Sequence, residues 1–315
     1  MRREAGGGHN MTVLVPLDED HHVHSTFSSD AISTLDQNLD AARERGLRAI
    51  CLAEHVRRDS TWVPEFLEAV NALRPVPGLD VLAGVEAKIL DRAGRLDLPD
   101  GLASADAGLD VVLIADHQFP GDAGPVHPRE MRDALIGGLV TAGEVIDCLI
   151  DAIAGALTVP ERPQLAHMFS ILPKMGLDES SVPDRAIAHL ARQARIAGAR
   201  LEVNEKWSCP SARAVRAFAQ AGVHLVASTD SHDCRDIGGY ASVRQIVDSA
   251  RDGAVRGTGS LWPTFFWDSS GCWWRWWWSG SCRWSWPITS SCWSRRTSGG
   301  CTTASAGPGS PGWRS

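Results

Sequence analysis

The sequence contains no stretch of 18 apolar residues, which excludes a membrane span as written. Cys51, Cys148, Cys209 and Cys234 show no Cys-x-x-Cys spacing, so neither a zinc knuckle nor a disulfide framework is written into that part of the chain. A reducing cytoplasm is the expected setting. Residues Met1 to Asn10 are Gly-rich and polar, and Arg2-Arg3 leads into no apolar segment; they are expected to be disordered, with no signal peptide. Positive charge is scarce as well. The formal net charge is −7, and residues 256–315 hold six Arg against one Asp, which leaves the first 255 residues at −12. A domain that acidic repels phosphate backbones, so nucleic acid is not an expected partner. A small phosphorylated ligand can still be held by local cations or metals.

What is abundant is unevenly placed. Eleven of the thirteen Trp lie between Trp262 and Trp313, and Cys272-Trp273-Trp274-Arg275-Trp276-Trp277-Trp278 has neither helical nor strand periodicity. Trp has the single codon TGG, and a run of TGG codons read in a shifted frame encodes Val or Gly. Residues 256–315 are therefore expected to be a frameshift product, disordered or badly packed; an aromatic interaction tail is the alternative, and resequencing the gene separates the two. Three regions follow: 1–10, a domain over 11–255, and the tail 256–315.

Within 11–255, short apolar runs alternate with helical patterns. The runs are Val13–Val15, Ala49–Ala53, Val81–Val85, Val111–Ala115, Leu165–Ala166, Leu201–Val203 and Val223–Ala227; the helical patterns include Thr34–Arg45, Pro64–Leu73, Ala142–Leu157, Pro183–Ala197 and Ala212–Ala221. Gly46 fits a helix C-terminus. This alternation predicts an α/β fold with a parallel sheet or barrel. Nearly every run ends in metal-binding residue types: His22 and His24, Glu54-His55, Glu86, Asp116-His117, His167, Asn204-Glu205, then Asp230 and His232. In a β/α barrel the C-terminal strand ends open onto one face, so these distant residues converge on one pocket. Singly, each histidine reads as a structural residue; the shared phase is what argues for a site. In His22-Val23-His24 and Asp230-Ser231-His232, residues i and i+2 point the same way in extended backbone. The donors are nitrogen and oxygen without thiolate, which suits Zn²⁺, Mn²⁺ or Fe²⁺. They are numerous enough for two or three ions, and a carboxylate such as Glu86 can bridge two.

Several motifs resemble those of the PHP (polymerase and histidinol phosphatase) superfamily, in the family's order. They are Asp20-His21-His22-Val23-His24-Ser25 with Ser29-Asp30, Ala53-Glu54-His55, Gly84-Val85-Glu86, Leu165-Ala166-His167, and Ser228-Thr229-Asp230-Ser231-His232 with Asp236-Ile237-Gly238. The resemblance implies a distorted (β/α)7 barrel with three metal positions. One uses His22, His24, Glu86 and Asp230; a second shares Glu86 and adds His117 and His167; a third uses Asp30, His55 and His232. It further implies hydrolysis of a small phosphomonoester, histidinol phosphate being the leading substrate, by a metal-bound hydroxide. Glu86, Asp230 and His232 are the candidate catalytic residues. Arg57 and Lys88 are preferred as phosphate-holding cations over Lys174, Lys206 and Arg235. Phosphodiester cleavage from a nucleic-acid end and a non-catalytic metal-stabilised module are the alternatives.

Overall fold

The computed structural model describes residues 13–255; the expectations for residues 1–10 and 256–315 lie outside the described residues. Seven parallel strands form one sheet: β1 (Glu19–Val23), β2 (Ala49–Val56), β3 (Asp80–Lys88), β4 (Val111–Ala115), β7 (Pro163–Leu165), β8 (Arg200–Asn204) and β9 (His224–Ser228), in that spatial order. A small antiparallel hairpin, β5 (Phe119–Gly121) with β6 (Gly124–Val126), stands apart from the sheet. The helices are α1 (Leu35–Glu44), α2 (Val63–Leu73), α3 (Pro128–Ile136), α4 (Ala142–Ala156), α5 (Asp184–Ile196), α6 (Ala212–Gln220) and α7 (Ala241–Val255). Among the described residues no helix is long and apolar enough to cross a membrane.

The sheet's two edges meet. Val23 bridges Ser231 in parallel register, His24 N–H donates to Ser231 O at 2.8 Å, and Ser231 N–H donates to His22 O at 3.3 Å. The result is a distorted, nearly closed seven-stranded α/β barrel: the alternation predicts a parallel sheet or barrel, and the family resemblance implies the distorted seven-stranded form. Its helices start and stop where local chemistry directs. Thr34 and Thr141 close capping boxes with Gln37 and Glu144 at the starts of α1 and α4, satisfying N–H groups that the helix leaves free. Gly46, with φ +68°, ends α1 in the left-handed region.

One expectation needs correction. Val13–Val15 is not the first strand; that strand is Glu19–Val23, with His21 and His22 inside it rather than after it. Val13 and Val15 are buried, so the run is apolar for the usual reason, but it packs as an irregular segment against the helical layer, where Arg251 donates to Val13 O. The hairpin, α3 and α7 are additional elements that the apolar pattern does not announce.

Strand alternation sorts side chains to two sides. Val85 and Ala87 of β3, Val112 and Ile114 of β4, Leu201 and Val203 of β8, and Leu225 and Ala227 of β9 pack outward in one cluster with α4, α5 and α6. The opposite phase faces inward. Its apolar layer is Cys51, Ala53, Val111, Leu113, Ala115 and Ala166. Gly84 belongs to that phase because space is short there: a Cβ on it would sit 2.9 Å from Val111 Cγ1 and 3.0 Å from Cys51 Sγ. Two residues on, the same phase carries Glu86. The inner lining thus changes from apolar to ionisable toward the C-terminal strand ends.

Candidate metal centre

Glu86 lies at the middle of that lining, fully buried, with five imidazoles around its carboxylate. Oε1 is 3.0 Å from His117 Nε2 and 2.9 Å from His167 Nε2; Oε2 is 2.7 Å from His55 Nδ1, 3.5 Å from His22 Nε2 and 3.6 Å from His24 Nε2. The Oε2 contacts lack hydrogen-bond alignment, and that buried oxygen has no hydrogen-bond partner. His22 Nε2 and His24 Nε2 converge to 3.0 Å, and Asp230 Oδ1 lies 3.3 Å from the latter and 3.9 Å from the former. Asp30 Oδ2 sits 3.4 Å from both His55 Nε2 and His232 Nε2. The structure therefore brings all nine sequence-selected donors into one cluster, linked by these contacts.

Three donor groups could each hold a metal ion: His22, His24 and Glu86; His55, Glu86 and His117; His24, His55 and His232. In each, the donor atoms lie within 4.8 Å of one another. The residues fit divalent ions on two grounds. A buried carboxylate oxygen without a hydrogen bond is costly unless a cation takes its charge. Imidazole and carboxylate donor atoms from separate strand ends also converge to within 4.8 Å of one another, a nitrogen–oxygen donor set suited to a shared cation.

A second layer fixes the first. Glu202, on the inward face of β8, lies 3.0 Å from His22 Nδ1 and also accepts from Gln164 Nε2, Ser228 Oγ and the His167 N–H. Ser170 Oγ donates to Asp116 Oδ1 and lies 3.0 Å from His167 Nδ1. Glu54 accepts from Ser25 and Ser28, and Ser28 Oγ is 3.3 Å from His24 Nδ1. Trp207 Nε1–H donates to Asp230 Oδ2 at 2.7 Å. Each contact orients a ring or carboxylate whose other donor atom faces the cluster, the pattern that tunes metal-binding histidines. Two of these residues carry strain: His167 (φ 29°) and Asp230 (φ 52°) are non-glycine residues at positive φ, at a cost of about 1–3 kcal/mol each.

The electrostatics follow from burial among charges. Burial pushes His24 down to about 3, helped by neighbouring His22, so its ring is neutral and offers a lone pair. Burial also works against protonated His22, but Glu202, Glu86 and Asp230 together hold it well above its ordinary value. His167 is raised to about 10, because Asp116 and Glu86 outweigh burial. Burial opposes ionised Glu86, yet His117 and His22 keep it well below the usual carboxylate range. Protons on His22 and His167 thus sit where positive charge is most favourable.

Sequence reasoning missed Glu202 and Gln164. It selected Asn204 and Glu205 at the end of the same strand, but Asn204 bonds Glu202 and Ser228, and Glu205 accepts from the Ser242 and Val243 N–H groups at the start of α7. The signal was present: Leu201-Glu202-Val203 and Pro163-Gln164-Leu165 place a polar residue between apolar ones, on the inward phase of a buried strand. Replacing Glu202 with Gln should weaken divalent-ion affinity roughly 10- to 100-fold with the fold retained, as read by calorimetric titration.

Arg57 and Lys88 line one cavity of ≈ 610 Å³ together with His55, Glu86 and His117. Lys88 is 3.6 Å from Asp97, and Arg57 is exposed. A second cavity, of ≈ 570 Å³, is bordered by Asp30, Asp230, His232 and Lys206.

Fold and site together define a β/α-barrel protein with a histidine–carboxylate cluster at its strand ends. A family model described as "PHP domain" matches residues 20–135, a stretch that carries the strand-end residues from His22 to His117. A "Probable phosphatase" of Vibrio vulnificus (strain YJ016) is 25% identical over 244 residues, covering 73% of this chain and 84% of that protein. A "Probable phosphatase" of Shewanella sp. (strain MR-4) is 27% identical over 236 residues, covering 73% and 82%. Among solved structures, histidinol phosphate phosphatase from Lactococcus lactis subsp. lactis, complexed with zinc, L-histidinol and phosphate, superposes with a TM-score of 0.52 at 16% identity. That match covers 74% of this chain and 92% of that one. At such low identity this likeness shows the barrel fold alone.

Proposed function

We propose that this chain hydrolyses small phosphomonoesters at a site holding two or three divalent ions. The observation that carries the reading is the buried Glu86 carboxylate with His22, His24, His55, His117 and His167 around it. The phosphatase names of the relatives and the phosphate bound to the Lactococcus lactis enzyme support it. The chain is a metal-dependent hydrolase. In this reading His22, His24, Glu86 and Asp230 form one ligand set; Glu86, His117 and His167 a second; Asp30, His55 and His232 a third. Zn²⁺, Mn²⁺ and Fe²⁺ all suit these donors. Such ions supply acidified water and charge neutralisation at phosphoryl oxygens.

The protein's own groups do the rest. Glu86 joins two ligand sets through its two oxygens. Asp230, fixed by Trp207 and 3.3 Å from Lys206 Nζ, orients the first set; with His232 it holds or passes protons at the rim. Arg57 and Lys88, on the wall beside His55, draw the phosphate in. Histidinol phosphate is the substrate we put first. The four unbonded cysteines Cys51, Cys148, Cys209 and Cys234 accord with action in the cytoplasm.

Assay of p-nitrophenyl phosphate, histidinol phosphate and a single-stranded oligonucleotide, each with Mn²⁺ or Zn²⁺, separates the readings. Release of phosphate from the monoesters alone is expected. Cleavage of the oligonucleotide alone would replace this reading with a phosphodiesterase, and metal binding without any hydrolysis would leave a structural module.

A further inference from the structure

A third cavity, of ≈ 490 Å³, meets the donor cluster only at His117; beyond it the walls are Gln118, His127, Arg129, Arg132 and Lys174. Its charge is one-sided, with three cationic side chains and no carboxylate. Other arginines of this acidic domain that lie beside a carboxylate pair with it: Arg92 with Asp151 at 2.7 Å, Arg213 with Asp184 at 2.7 Å, Arg74 with Asp110 at 2.5 Å. Among the described residues Arg129, Arg132 and Lys174 form no ion pair.

Two of the cations, Lys174 and Arg132, also have neighbours that place them. Arg129 and Arg132 lie on successive turns of one face of α3, which packs against the short turn Pro173–Met175 that carries Lys174. The Lys174 ammonium is half-buried, 3.9 Å above the Trp207 ring. The Arg132 stem runs along Gly176, where an added Cβ would touch its Cγ and Cδ at 3.7 Å. Three like charges around one cavity repel one another until an anion enters, and arginine forks are suited to carboxylate and phosphate oxygens.

The scissile phosphoryl group belongs elsewhere. It must reach the centre of the donor cluster, and the cavities that border Glu86, His55, Asp30, Asp230 and His232 are the other two. A group in the α3 pocket is one histidine removed from that centre. We propose that Arg129, Arg132 and Lys174 form a subsite for a second anionic group of the substrate, a carboxylate or a further phosphate carried at a distance from the phosphoryl group to be cleaved. This rests on the phosphomonoesterase reading and shifts its preference to doubly anionic esters, away from histidinol phosphate, whose phosphate is its one anionic group.

Binding of non-hydrolysable phosphonates to the zinc-loaded protein tests the subsite independently of turnover. Calorimetry would compare ω-phosphonoalkanoates and alkane bisphosphonates of graded chain length with matched simple alkylphosphonates. The best doubly anionic ligand should bind at least about tenfold tighter, whichever anion gives it, the value expected for one added charge-assisted contact. Arg129→Ala and Arg132→Ala should each erase most of that ratio. Both side chains are exposed, so folding is not at stake. Equal affinities, or a ratio that the substitutions leave unmoved because both ligand types weaken alike, would overturn the proposal. If the preference holds but the corresponding phosphate esters are not cleaved, the subsite stands and the phosphatase reading falls.

Discussion

Replacing Glu86 by Gln should abolish phosphomonoester hydrolysis, lowering kcat/KM by at least roughly a thousandfold, beyond the 10- to 100-fold that losses in the outer layer cost. The isosteric amide keeps the shape of the site but removes its central negative charge. An amide also presents one oxygen where the carboxylate presents two, so two ligand sets cannot share it. The buried setting makes the loss large, since almost none of the side chain is open to water that could replace the charge. His117 and His167 face Oε1 while His22, His24 and His55 face Oε2, so whichever way the amide turns, one group of rings meets an N–H₂. Steady-state kinetics beside bound-metal analysis would read this, and an unchanged metal content with near-normal turnover would remove Glu86 from the centre.

The second large effect concerns barrel closure. Asp20 is buried, and its carboxylate accepts from Thr229 N–H at 3.0 Å, Thr229 Oγ1 at 2.6 Å and Gly238 N–H at 3.0 Å. Those donors belong to the segment after β9, so Asp20 ties the first strand to the last motif, the junction that brings His22 and His24 beside Asp230 and His232. Asp20→Ala should cost roughly 3 kcal/mol or more, because each donor left buried without a partner carries its own desolvation penalty. Urea denaturation would show the midpoint fall. Asp20→Asn, which keeps one acceptor oxygen, should lose less. A change within about 0.5 kcal/mol, typical of surface positions, would mean that the barrel closes without this tie.

Much of the site was legible because strand-end phase is a strong constraint. His55, Glu86, His117, His167, Asp230 and His232 each follow or end an apolar run, and the parallel barrel then leaves them one place to go. The supporting layer was less legible. Glu202 sits mid-strand, where a charged residue between Leu201 and Val203 looks like a break in the core rather than the anchor of a histidine 180 residues away. Residues 119–136 carry no assigned element in the sequence pattern, since Phe119-Pro120-Gly121-Asp122-Ala123-Gly124-Pro125 is rich in turn-forming residues; the structure makes them a hairpin and a helix that carries Arg129 and Arg132 to the rim. Val13–Val15 misled for the opposite reason, since burial alone produces an apolar run and pairing is not required. Arg57 and Lys88 do reach the cavity beside His55, a placement that spacing alone could not distinguish from surface charge.

The most direct test is to strip the purified protein with a chelator, return Zn²⁺ or Mn²⁺ in measured steps, and follow phosphate release from p-nitrophenyl phosphate against ions bound per chain. The account predicts no turnover in the stripped protein, and activity that rises as two or three ions bind and reaches its maximum when they are in place. Full activity without metal, or an uptake that saturates without any phosphate release, would contradict it.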